Sequence, residues 1–498
     1  MLIDCADPPD ADLHTDWRLA ESLGLQTYTV LAAYSATPIA EQFQQIRQSL
    51  CTNDALPLAA IKVGRLVDEV DDQVVTAVYD GIVALQEQGQ RPRIIIDPIL
   101  VTDSGERLLT PQGEQVLRSK LLPLADVVTP DLNELALLTK LTTADSDSIN
   151  CAVKQLIASG VTSVLLRNTH LTAHQVNGDV SHEYNDYFFS ENLHFWLMGK
   201  HYPPEQINIP GTGSLFATAI ACASAQGYSV TDAIILAKTL VNRSVRQSHP
   251  TQETYQLCVA ETNPDDWGVD YQDFPKLTPH SPEISPPVLP RCDTLTLGIY
   301  PVVDSVEWIE KLINCGIQTI QLRLKTDIEH PPTPAELDGQ IQAAVTVCKG
   351  RNIRLFINDH WQLAIKHRAY GIHLGQEDLH DADLQAIAAA GCHLGVSTHS
   401  YTEVARALWV NPSYIALGPI YATTSKQMPW IPQGVAAVER WTALLGGKYP
   451  LVAIGGIDLA RATALKPTGI GSVAMISAIT QAADYRQATQ ELLELWQQ

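Results

Sequence analysis

The sequence lacks two features that would place it at a membrane or on a nucleic acid. No apolar run in its 498 residues approaches the roughly 20 residues that a membrane-spanning helix needs, and no basic leader with a long apolar stretch opens it. Basic residues are not in excess either, since the formal net charge is −22. Both nucleic-acid and membrane-surface binding favour a basic face. We therefore expect a soluble cytoplasmic protein with small-molecule substrates.

Closely spaced cysteine pairs are also missing. The nine cysteines are scattered, their number is odd, and no two of them stand at the spacing of a CxxC motif. Disulfide frameworks and zinc sites usually show regular, closely spaced cysteines. We expect reduced thiols, most of them buried.

The length of the chain and one proline-rich segment indicate two domains. A chain of 498 residues is too long for one compact core. Prolines are dense in the stretch FPKLTPHSPEISPPVLPR, which ends at Arg291. Proline removes a backbone donor, so neither a helix nor a central strand should persist there. We predict an N-terminal domain over residues 1–260, a linker over 261–291 and a C-terminal domain over 292–498.

Strand-like and helix-like segments alternate on both sides of this linker. In the N-terminal domain the strand candidates are continuous apolar runs, which read TYTVLAAY, ALPLAAIKVG, RPRIIIDPIL, ADVVTP and VTSVLL. Runs of this kind suit strands that are buried on both faces. We predict an α/β fold here, with a parallel sheet covered by helices.

The C-terminal domain alternates more regularly. Its eight strand candidates read TLGIYPV, IQTIQLR, IRLFIND, AYGIHLG, HLGVSTH, SYIALGP, YPLVAIGG and GSVAMIS. Eight βα units in about 200 residues predict a closed (β/α)8 TIM barrel, whose chemistry lies at the C-terminal ends of the strands.

Polar side chains stand where these strands end. Asp359 and Asp378 follow neighbouring strands and supply the oxygen ligands that suit Mg²⁺ on a diphosphate. Positive charge comes from Arg323, Lys325 and Lys426. Hydrogen-bonding side chains come from Gln321, Asn358, Ser397, Thr423 and Ser425. His373 and His399 also stand at strand ends, where they are either site residues or ordinary packed histidines.

Backbone amides complete the predicted site. Gly455-Gly456 and Ile476-Ser477 follow strands seven and eight, where barrels often bind a phosphate. The barrel mouth is thus predicted to hold two phosphorylated ligands and a divalent cation.

The same motifs carry a family resemblance. From about Leu295 to Gln481 the chain resembles thiamine phosphate synthases, through QLRLK, FIND, GIHLGQEDL, GVSTHS, LGPIYATTSK, AIGGI and SVAMISAI in that order. The resemblance implies coupling of 4-amino-2-methyl-5-hydroxymethylpyrimidine diphosphate with hydroxyethylthiazole phosphate, with Mg²⁺ as cofactor. The products would be thiamine phosphate and pyrophosphate. The implied mechanism is dissociative, so pyrophosphate leaves before the thiazole nitrogen attacks the pyrimidine carbocation.

The resemblance also implies a role for each residue of the mouth. Asp359 and Asp378 would bind Mg²⁺, and the catalytic cations would be Arg323, Lys325 and Lys426. The pyrimidine diphosphate would be held by Gln321, Arg323, Lys325, Asn358, Ser397 and Lys426. The thiazole phosphate would be held by Thr423, Ser425, Gly456, Ile476 and Ser477. Three departures should not abolish activity: Leu324 for an acidic residue, Ala422 for proline and Ser425 for threonine.

A related barrel, the aminothiazole tautomerase, is the main alternative for this domain. It performs no coupling, and it would lack the full Gln-x-Arg-x-Lys run and the paired aspartates. This chain has the run at Gln321–Lys325 and the pair at Asp359 and Asp378, so coupling is favoured.

Residues 1 to about 248 resemble the hydroxymethylpyrimidine (phosphate) kinases, which have a ribokinase-like α/β/α fold. The matching points are Lys62-Val63-Gly64, Asp97-Pro98-Ile99-Leu100, Thr129-Pro130-Asp131 with Glu134, and Gly211-Thr212-Gly213-Ser214. Backbone amides at the start of a helix favour a transferring phosphoryl group, which suits the last motif. A working kinase would use ATP, and the family usually forms a homodimer.

Several positions of the kinase pattern are replaced in this chain. Ser214 stands where the family usually has a cysteine base, and a serine hydroxyl is much harder to ionise. The phosphate-contacting Lys-Gly-Gly-His becomes Arg167-Asn168-Thr169-His170, and the glycine-rich opening becomes CADPPDADLHTDW. Either the domain is a kinase that supplies the barrel, or it is an inactive platform for dimerisation or ligand binding. The replacements favour the second hypothesis.

Overall fold

The computed structural model of the chain forms two compact units, Met1–Ile284 and Ser285–Gln498. Among the residues that it describes, none of the helices combines the length and the hydrophobicity needed to cross a bilayer. The described residues are 1–4, 11–33, 35–52, 56–68, 72–102, 104–143, 145–169, 173–176, 179–183, 185–199, 201–202, 209–251, 255–259, 262–264, 267–326, 329–422 and 431–497.

The first unit contains both strands and helices. Its strands are β1 Leu2–Asp4, β2 Thr29–Leu31, β3 Ala60–Val63, β4 Arg93–Ile96, β5 Val127–Val128, β6 Ser163–Thr169, β7 Ala173–Val176, β8 Asp179–Glu183, β9 Asn185–Ser190, β10 His194–Met198, β11 His201–Tyr202, β12 His249–Pro250, β13 Tyr255–Gln256 and β14 Lys276–Thr278. Its helices are α1 Ala11–Ser22, α2 Ile39–Ser49, α3 Gln73–Glu87, α4 Pro111–Val116, α5 Leu132–Thr139, α6 Ser146–Ala158, α7 Thr212–Ala225 and α8 Val230–Arg246.

Nine of these strands form one sheet, in the order β14-β10-β9-β6-β5-β4-β3-β1-β2. The six strands β1–β6 are parallel, as the apolar runs predict. Every residue of β3 is buried, so helices cover both faces there. β9, β10 and β14 are antiparallel, which corrects the expectation of a wholly parallel sheet. Burial alternates along β10, as in a strand with one solvated face. The α/β/α architecture predicted for this half is confirmed.

Part of the proline-rich segment belongs to this sheet. Lys276–Thr278 pairs with β10 as an edge strand, with Pro275 and Pro279 on either side. The edge position suits a segment whose prolines lack backbone donors. Phe274 is buried beside it, and the carboxylate of Asp273 accepts hydrogen bonds from Arg246 at 2.9 and 2.6 Å.

The second unit is a closed barrel of parallel strands. The strands are β15 Gly298–Val303, β16 Thr319–Leu322, β17 Arg354–Asn358, β18 Gly371–Leu374, β19 His393–Thr398, β20 Tyr414–Leu417, β21 Leu451–Ile454 and β22 Ser472–Met475. The helices are α9 Val306–Asn314, α10 Pro334–Cys348, α11 Trp361–His367, α12 Gln376–Asp381, α13 Leu384–Ala389, α14 Tyr401–Val410, α15 Gly434–Leu445, α16 Leu459–Leu465, α17 Ser477–Thr480 and α18 Tyr485–Gln497.

The strands of the barrel close in sequence order, because β22 pairs with β15. The TIM barrel predicted from the eight strand candidates is therefore confirmed. Its interior is filled by aromatic rings from three strands, those of Tyr300, Phe356 and Tyr414. All three are essentially inaccessible to solvent, so the interior of the barrel at this level is a packed core and not a pore.

The described cysteines are free thiols of mixed exposure. Cys222, Cys348 and Cys392 are buried, and burial raises the pKa of the Cys348 thiol to about 11. Of the eight described cysteines, Cys51 and Cys151 are exposed and Cys258, Cys292 and Cys315 are half-buried, so the expectation that most of the thiols are buried was too strong.

Candidate functional site

A cavity of about 490 Å³ opens at the C-terminal ends of the barrel strands. It contains most of the residues that the sequence predicts for the site. Nine of them line it together: Gln321, Arg323, Asn358, Asp359, Asp378, Ser397, Gly456, Ile476 and Ser477.

The other four predicted residues are placed differently. Lys325 is exposed, two residues beyond Arg323, and is not part of the cavity lining. Thr423, Ser425 and Lys426 lie outside the described residues.

Two carboxylates face this cavity from neighbouring strand ends. Asp359 follows β17 with a φ of 62°, and its backbone nitrogen donates to the carbonyl oxygen of His373 at 3.0 Å. Asp378 lies in the first turn of α12. In the described part of the chain, no three His, Cys, Asp or Glu side chains form a metal cage. Two carboxylates nevertheless fit Mg²⁺, which commonly takes its remaining ligands from water and substrate phosphates.

A chain of buried polar groups lies at the floor of the cavity. The amide Nε2 of Gln321 donates to the hydroxyl of Tyr300 at 3.5 Å, and the hydroxyls of Tyr300 and Tyr414 are 2.9 Å apart. The hydroxyl of Tyr414 lies 2.6 Å from Nδ1 of His373. Nε2 of the same imidazole lies 2.8 Å from the hydroxyl of Ser397. This chain therefore connects two predicted pyrimidine-binding residues, Gln321 and Ser397.

Sequence reasoning missed the two tyrosines and left His373 undecided. Burial raises the pKa of both phenols well above the ordinary value, so both keep their protons at neutral pH. Tyr300 and Tyr414 stand inside apolar strands, where a tyrosine reads as an ordinary core residue. Only the closure of the barrel brings their hydroxyls together.

A second set of contacts fixes the wall beyond β19. The backbone nitrogen and Nδ1 of His399 lie 2.6 and 2.7 Å from the same carboxylate oxygen of Glu403. Gln376 donates to the carbonyl oxygen of Ser397 at 2.7 Å, and Arg406 donates to that of Gln376 at 3.1 Å. Gln376 and Glu403 line the cavity although the sequence did not single them out. The sequence signal that could have identified Glu403 is its position as an acidic residue in the first turn of α14.

Two glycines shape the side of the mouth after β21. Gly455 and Gly456 have φ values of 105° and 63°, in the left-handed region that favours glycine. A Cβ at Gly455 would lie 2.7 Å from the Cα of Pro419, so the two backbone segments approach closely. Both glycines and the residues after β22 line the same cavity, where backbone amides could hold a phosphate.

In the first unit, the predicted kinase motifs surround two buried cations. Nζ of Lys62 is fully buried and lies 2.8 Å from Asp4, 2.9 Å from Asp16 and 2.9 Å from Ser214. Burial disfavours the charged amine, but the attraction of Asp16 and Asp4 outweighs it and raises the pKa of Lys62. The Ser214 hydroxyl accepts from Lys62 and donates to Asp16 at 3.1 Å, so its hydrogen-bonding capacity is used internally.

The second cation, Arg167, covers the start of α7. Its Nη2 lies 3.1 Å from Asp97 and 3.2 Å from Glu134, and its Nε donates to the carbonyl oxygen of Thr129 at 2.6 Å. A Cβ on Gly213 would overlap its Nη1, so the guanidinium fills the space in front of the glycine motif.

Glu134 is engaged twice in this cluster. Besides its pairing with Arg167, it accepts from the backbone nitrogen of Asp131 at 2.8 Å as part of a capping box. Burial raises the pKa of the Glu134 carboxyl to about 8 in spite of Arg167, and repulsion from Asp97 adds to the rise.

Comparison with known families gives two matches in different parts of the chain. The model of thiamine monophosphate synthase matches residues 299–479, and that of phosphomethylpyrimidine kinase matches residues 21–258. The thiamine-phosphate synthase of Salmonella typhimurium is 56% identical over 199 residues, which are 40% of this chain and 92% of that protein.

Solved structures resemble each unit at lower identity. The thiamine phosphate pyrophosphorylase of Pyrococcus furiosus is 26% identical, over 40% of this chain and 96% of its own, with a TM-score of 0.35. The phosphomethylpyrimidine kinase of Clostridium difficile 630 is 19% identical, over 49% of this chain and 97% of its own, with a TM-score of 0.37.

Proposed function

We propose that the site at the barrel mouth couples a pyrimidine diphosphate with a thiazole phosphate, because the chain belongs to the thiamine-phosphate synthase family. The substrates are 4-amino-2-methyl-5-hydroxymethylpyrimidine diphosphate and hydroxyethylthiazole phosphate. The observation that carries this proposal is the meeting of nine predicted substrate and metal residues in one cavity.

Different residues of the cavity bind different parts of the two substrates. Gln321, Asn358 and Ser397 orient the pyrimidine, and Arg323 with Lys426 attracts its diphosphate. Asp359 and Asp378 would hold Mg²⁺, which would supply positive charge against the diphosphate. The backbone around Gly456 and Ser477, with Thr423 and Ser425, holds the thiazole phosphate. Lys325 faces solvent, so its contact with the diphosphate requires its side chain to swing toward the mouth.

The reaction needs no reactant besides the two substrates. The bond between the pyrimidine methylene carbon and the diphosphate oxygen breaks, and pyrophosphate leaves with the electron pair. The lone pair of the thiazole nitrogen then forms the new bond to that carbon. Fixed positive charge around the departing group supplies most of the acceleration that the protein contributes.

A matched pair of carboxylate variants tests the metal assignment. Asp378→Asn should lower turnover at least about a hundredfold at fixed Mg²⁺ and raise the Mg²⁺ concentration needed for half-maximal rate. Glu377→Gln is the control, because Glu377 is adjacent, exposed and borders the same cavity. Equal effects of the two variants in a steady-state assay would contradict the assignment.

A second variant tests the cation that the family resemblance assigns. Lys426→Ala should lower turnover by several orders of magnitude, since the leaving diphosphate then loses a compensating charge. Turnover near that of the wild type would exclude this role for Lys426.

We propose further that the first unit transfers no phosphoryl group. Arg167 covers the helix start where a phosphoryl group would lie, and Ser214 is held between Lys62 and Asp16. Incubation of the full chain with ATP, Mg²⁺ and the pyrimidine monophosphate should give no diphosphate above background. Measurable diphosphate would instead support the alternative, a kinase that supplies the barrel.

The domain bounds and a homodimer also stand as proposals. We propose that the domains predicted as residues 1–260 and 292–498 are joined by the part of residues 261–291 that follows β14, since β14 pairs within the first unit and that unit extends to Ile284. Limited proteolysis should cut first near Val288, which is almost fully exposed. Sedimentation velocity of the full chain would measure the oligomeric state.

A further inference from the structure

Four hydrogen-bond contacts under the cavity floor connect Gln321 to Ser397 through Tyr300, Tyr414 and His373. We propose that Tyr300, Tyr414 and His373 act as positioning residues that force the Ser397 hydroxyl to donate its proton into the cavity. The inference rests on the proposed function, because it states how the pyrimidine diphosphate is oriented. It follows from donors, acceptors and burial along the chain.

The direction is set at the end that carries the amide. Nε2 of Gln321 can only donate, so the hydroxyl oxygen of Tyr300 accepts at this contact. The Tyr300 hydroxyl has one other neighbour among the described residues, the hydroxyl of Tyr414 at 2.9 Å. Tyr300 therefore donates its own proton to Tyr414.

The direction then passes to the imidazole. Tyr414 accepts from Tyr300, so its proton is free for Nδ1 of His373 at 2.6 Å. An Nδ1 that accepts carries no proton, and the proton of the neutral ring is then on Nε2. Nε2 donates to the oxygen of Ser397 at 2.8 Å, so the serine proton must point elsewhere. Ser397 borders the cavity, where an acceptor atom of the ligand would receive that proton.

Donation in the opposite direction along these hydrogen bonds is unfavourable because the groups involved are buried. If Nδ1 of His373 donated, Tyr414 would turn its proton to Tyr300, and the proton of Tyr300 would face the donating amide. A buried hydroxyl hydrogen without an acceptor is costly, and little water can replace the missing partner here. Tyr414 is 0% exposed, Tyr300 1% and His373 6%. The ring of Phe356 packs edge-on against Tyr414 at 5.0 Å and helps to hold it in place.

The arrangement makes the site selective for one pattern of ligand atoms. A fixed donor at Ser397 favours a ligand atom with a lone pair at that position and disfavours a protonated one. The amide nitrogen of Gln321 donates within the hydrogen-bond chain, so its carbonyl oxygen is the group that can accept from the ligand. The pyrimidine diphosphate would thus meet a donor and an acceptor that cannot exchange roles.

The tautomer of His373 is directly measurable in the ligand-free full chain. We expect the ¹⁵N spectrum of histidine-labelled protein, assigned with His373→Gln, to show Nδ1 unprotonated and Nε2 protonated. Tyr414→Phe removes the donor to Nδ1 while it keeps the ring, so the single tautomer should give way to a mixture. A proton on Nδ1 in the wild type, or an unchanged spectrum in Tyr414→Phe, would overturn the proposal.

Steady-state kinetics provide an independent test. Tyr300→Phe and Tyr414→Phe should each raise KM for the pyrimidine diphosphate about tenfold, the worth of one well-formed hydrogen bond, and leave KM for the thiazole phosphate unchanged. Tyr370→Phe is the matched control, since Tyr370 packs on the same Phe356 ring at 5.4 Å but is not in the chain. It should change neither constant.

The outcomes separate this inference from the proposed function. Unchanged KM values in both tyrosine variants, or equal effects of all three, would refute the positioning role. If the wild type forms no product, the proposed function fails. The ¹⁵N measurement still decides the direction of proton donation from Tyr300 to Ser397.

Discussion

The guanidinium of Arg167 lies directly in front of Gly213, where a Cβ on the glycine would overlap its Nη1. The start of a helix carries partial positive charge and repels a cation. Asp97 offsets this repulsion because it pairs with Nη2 of the arginine, and the carboxyl of Glu134 contacts the same nitrogen. The cluster therefore depends on the absence of a side chain at Gly213 and on the acidic side chains of Asp97 and Glu134.

Gly213→Ala should break this cluster. The added methyl group would displace Arg167 and leave Asp97 buried without its partner, which we expect to destabilise the first unit by about 2–4 kcal/mol. Synthase turnover should be unchanged, since the cavity lies in the barrel. Hydrogen exchange of β6 and α7, with chemical denaturation, measures the loss.

Ser224→Ala in the same helix is the control for this prediction. The Ser224 hydroxyl is buried and has no hydrogen-bond partner among the described residues, so its removal should cost little. Equal stability of the two variants would show that Arg167 tolerates a side chain at Gly213.

The carboxyl of Glu134 should make the stability of the first unit depend on pH. Burial, with a contribution from Asp97, raises its pKa from the ordinary 4.5 to about 8. Between these values the folded protein holds a proton that the unfolded chain has released, so the free energy of unfolding falls as pH rises from about 5 to 8. Chemical denaturation across this range should show a smaller decline in Glu134→Gln.

Glu87→Gln removes a carboxylate from the exposed end of α3 and serves as the comparison. It should keep the pH dependence of the wild type. A wild-type unfolding free energy that rises with pH, or a decline unaltered by Glu134→Gln, would contradict the shifted titration.

Most of the barrel and much of its site could be predicted from the sequence. A barrel strand is a short apolar run with a polar residue at its end, and the fold brings all such ends to one face. Asn358 with Asp359, and Gly455 with Gly456, were therefore identifiable before their neighbours were known. Their joint position in one cavity follows from strand order alone.

Contacts between distant strands could not be predicted in this way. Tyr300 and Tyr414 come from the first and sixth strands of the barrel, and their meeting depends on how side chains fill its interior. The sequence shows that Arg167 replaces a residue of the kinase pattern. The orientation of its guanidinium is set by the buried acidic side chains of Asp97 and Glu134, which come from other parts of the fold. The antiparallel edge strand at Lys276–Thr278 was hidden by its flanking prolines.

Gly395 should be indispensable to the Tyr414 contacts. A Cβ at this position on β19 would overlap the ring of Tyr414, which is 0% exposed and has no space to retreat. Gly395→Ala should therefore destabilise the barrel by about 2 kcal/mol or more and raise KM for the pyrimidine diphosphate. Gly339→Ala is the matched control, because Gly339 lies within α10 and a Cβ there meets nothing within 4 Å. Alanine should stabilise that helix by up to about 1 kcal/mol. Differential scanning calorimetry of both variants tests the contrast, and a Gly395→Ala barrel as stable as the wild type would show that Tyr414 can be repacked.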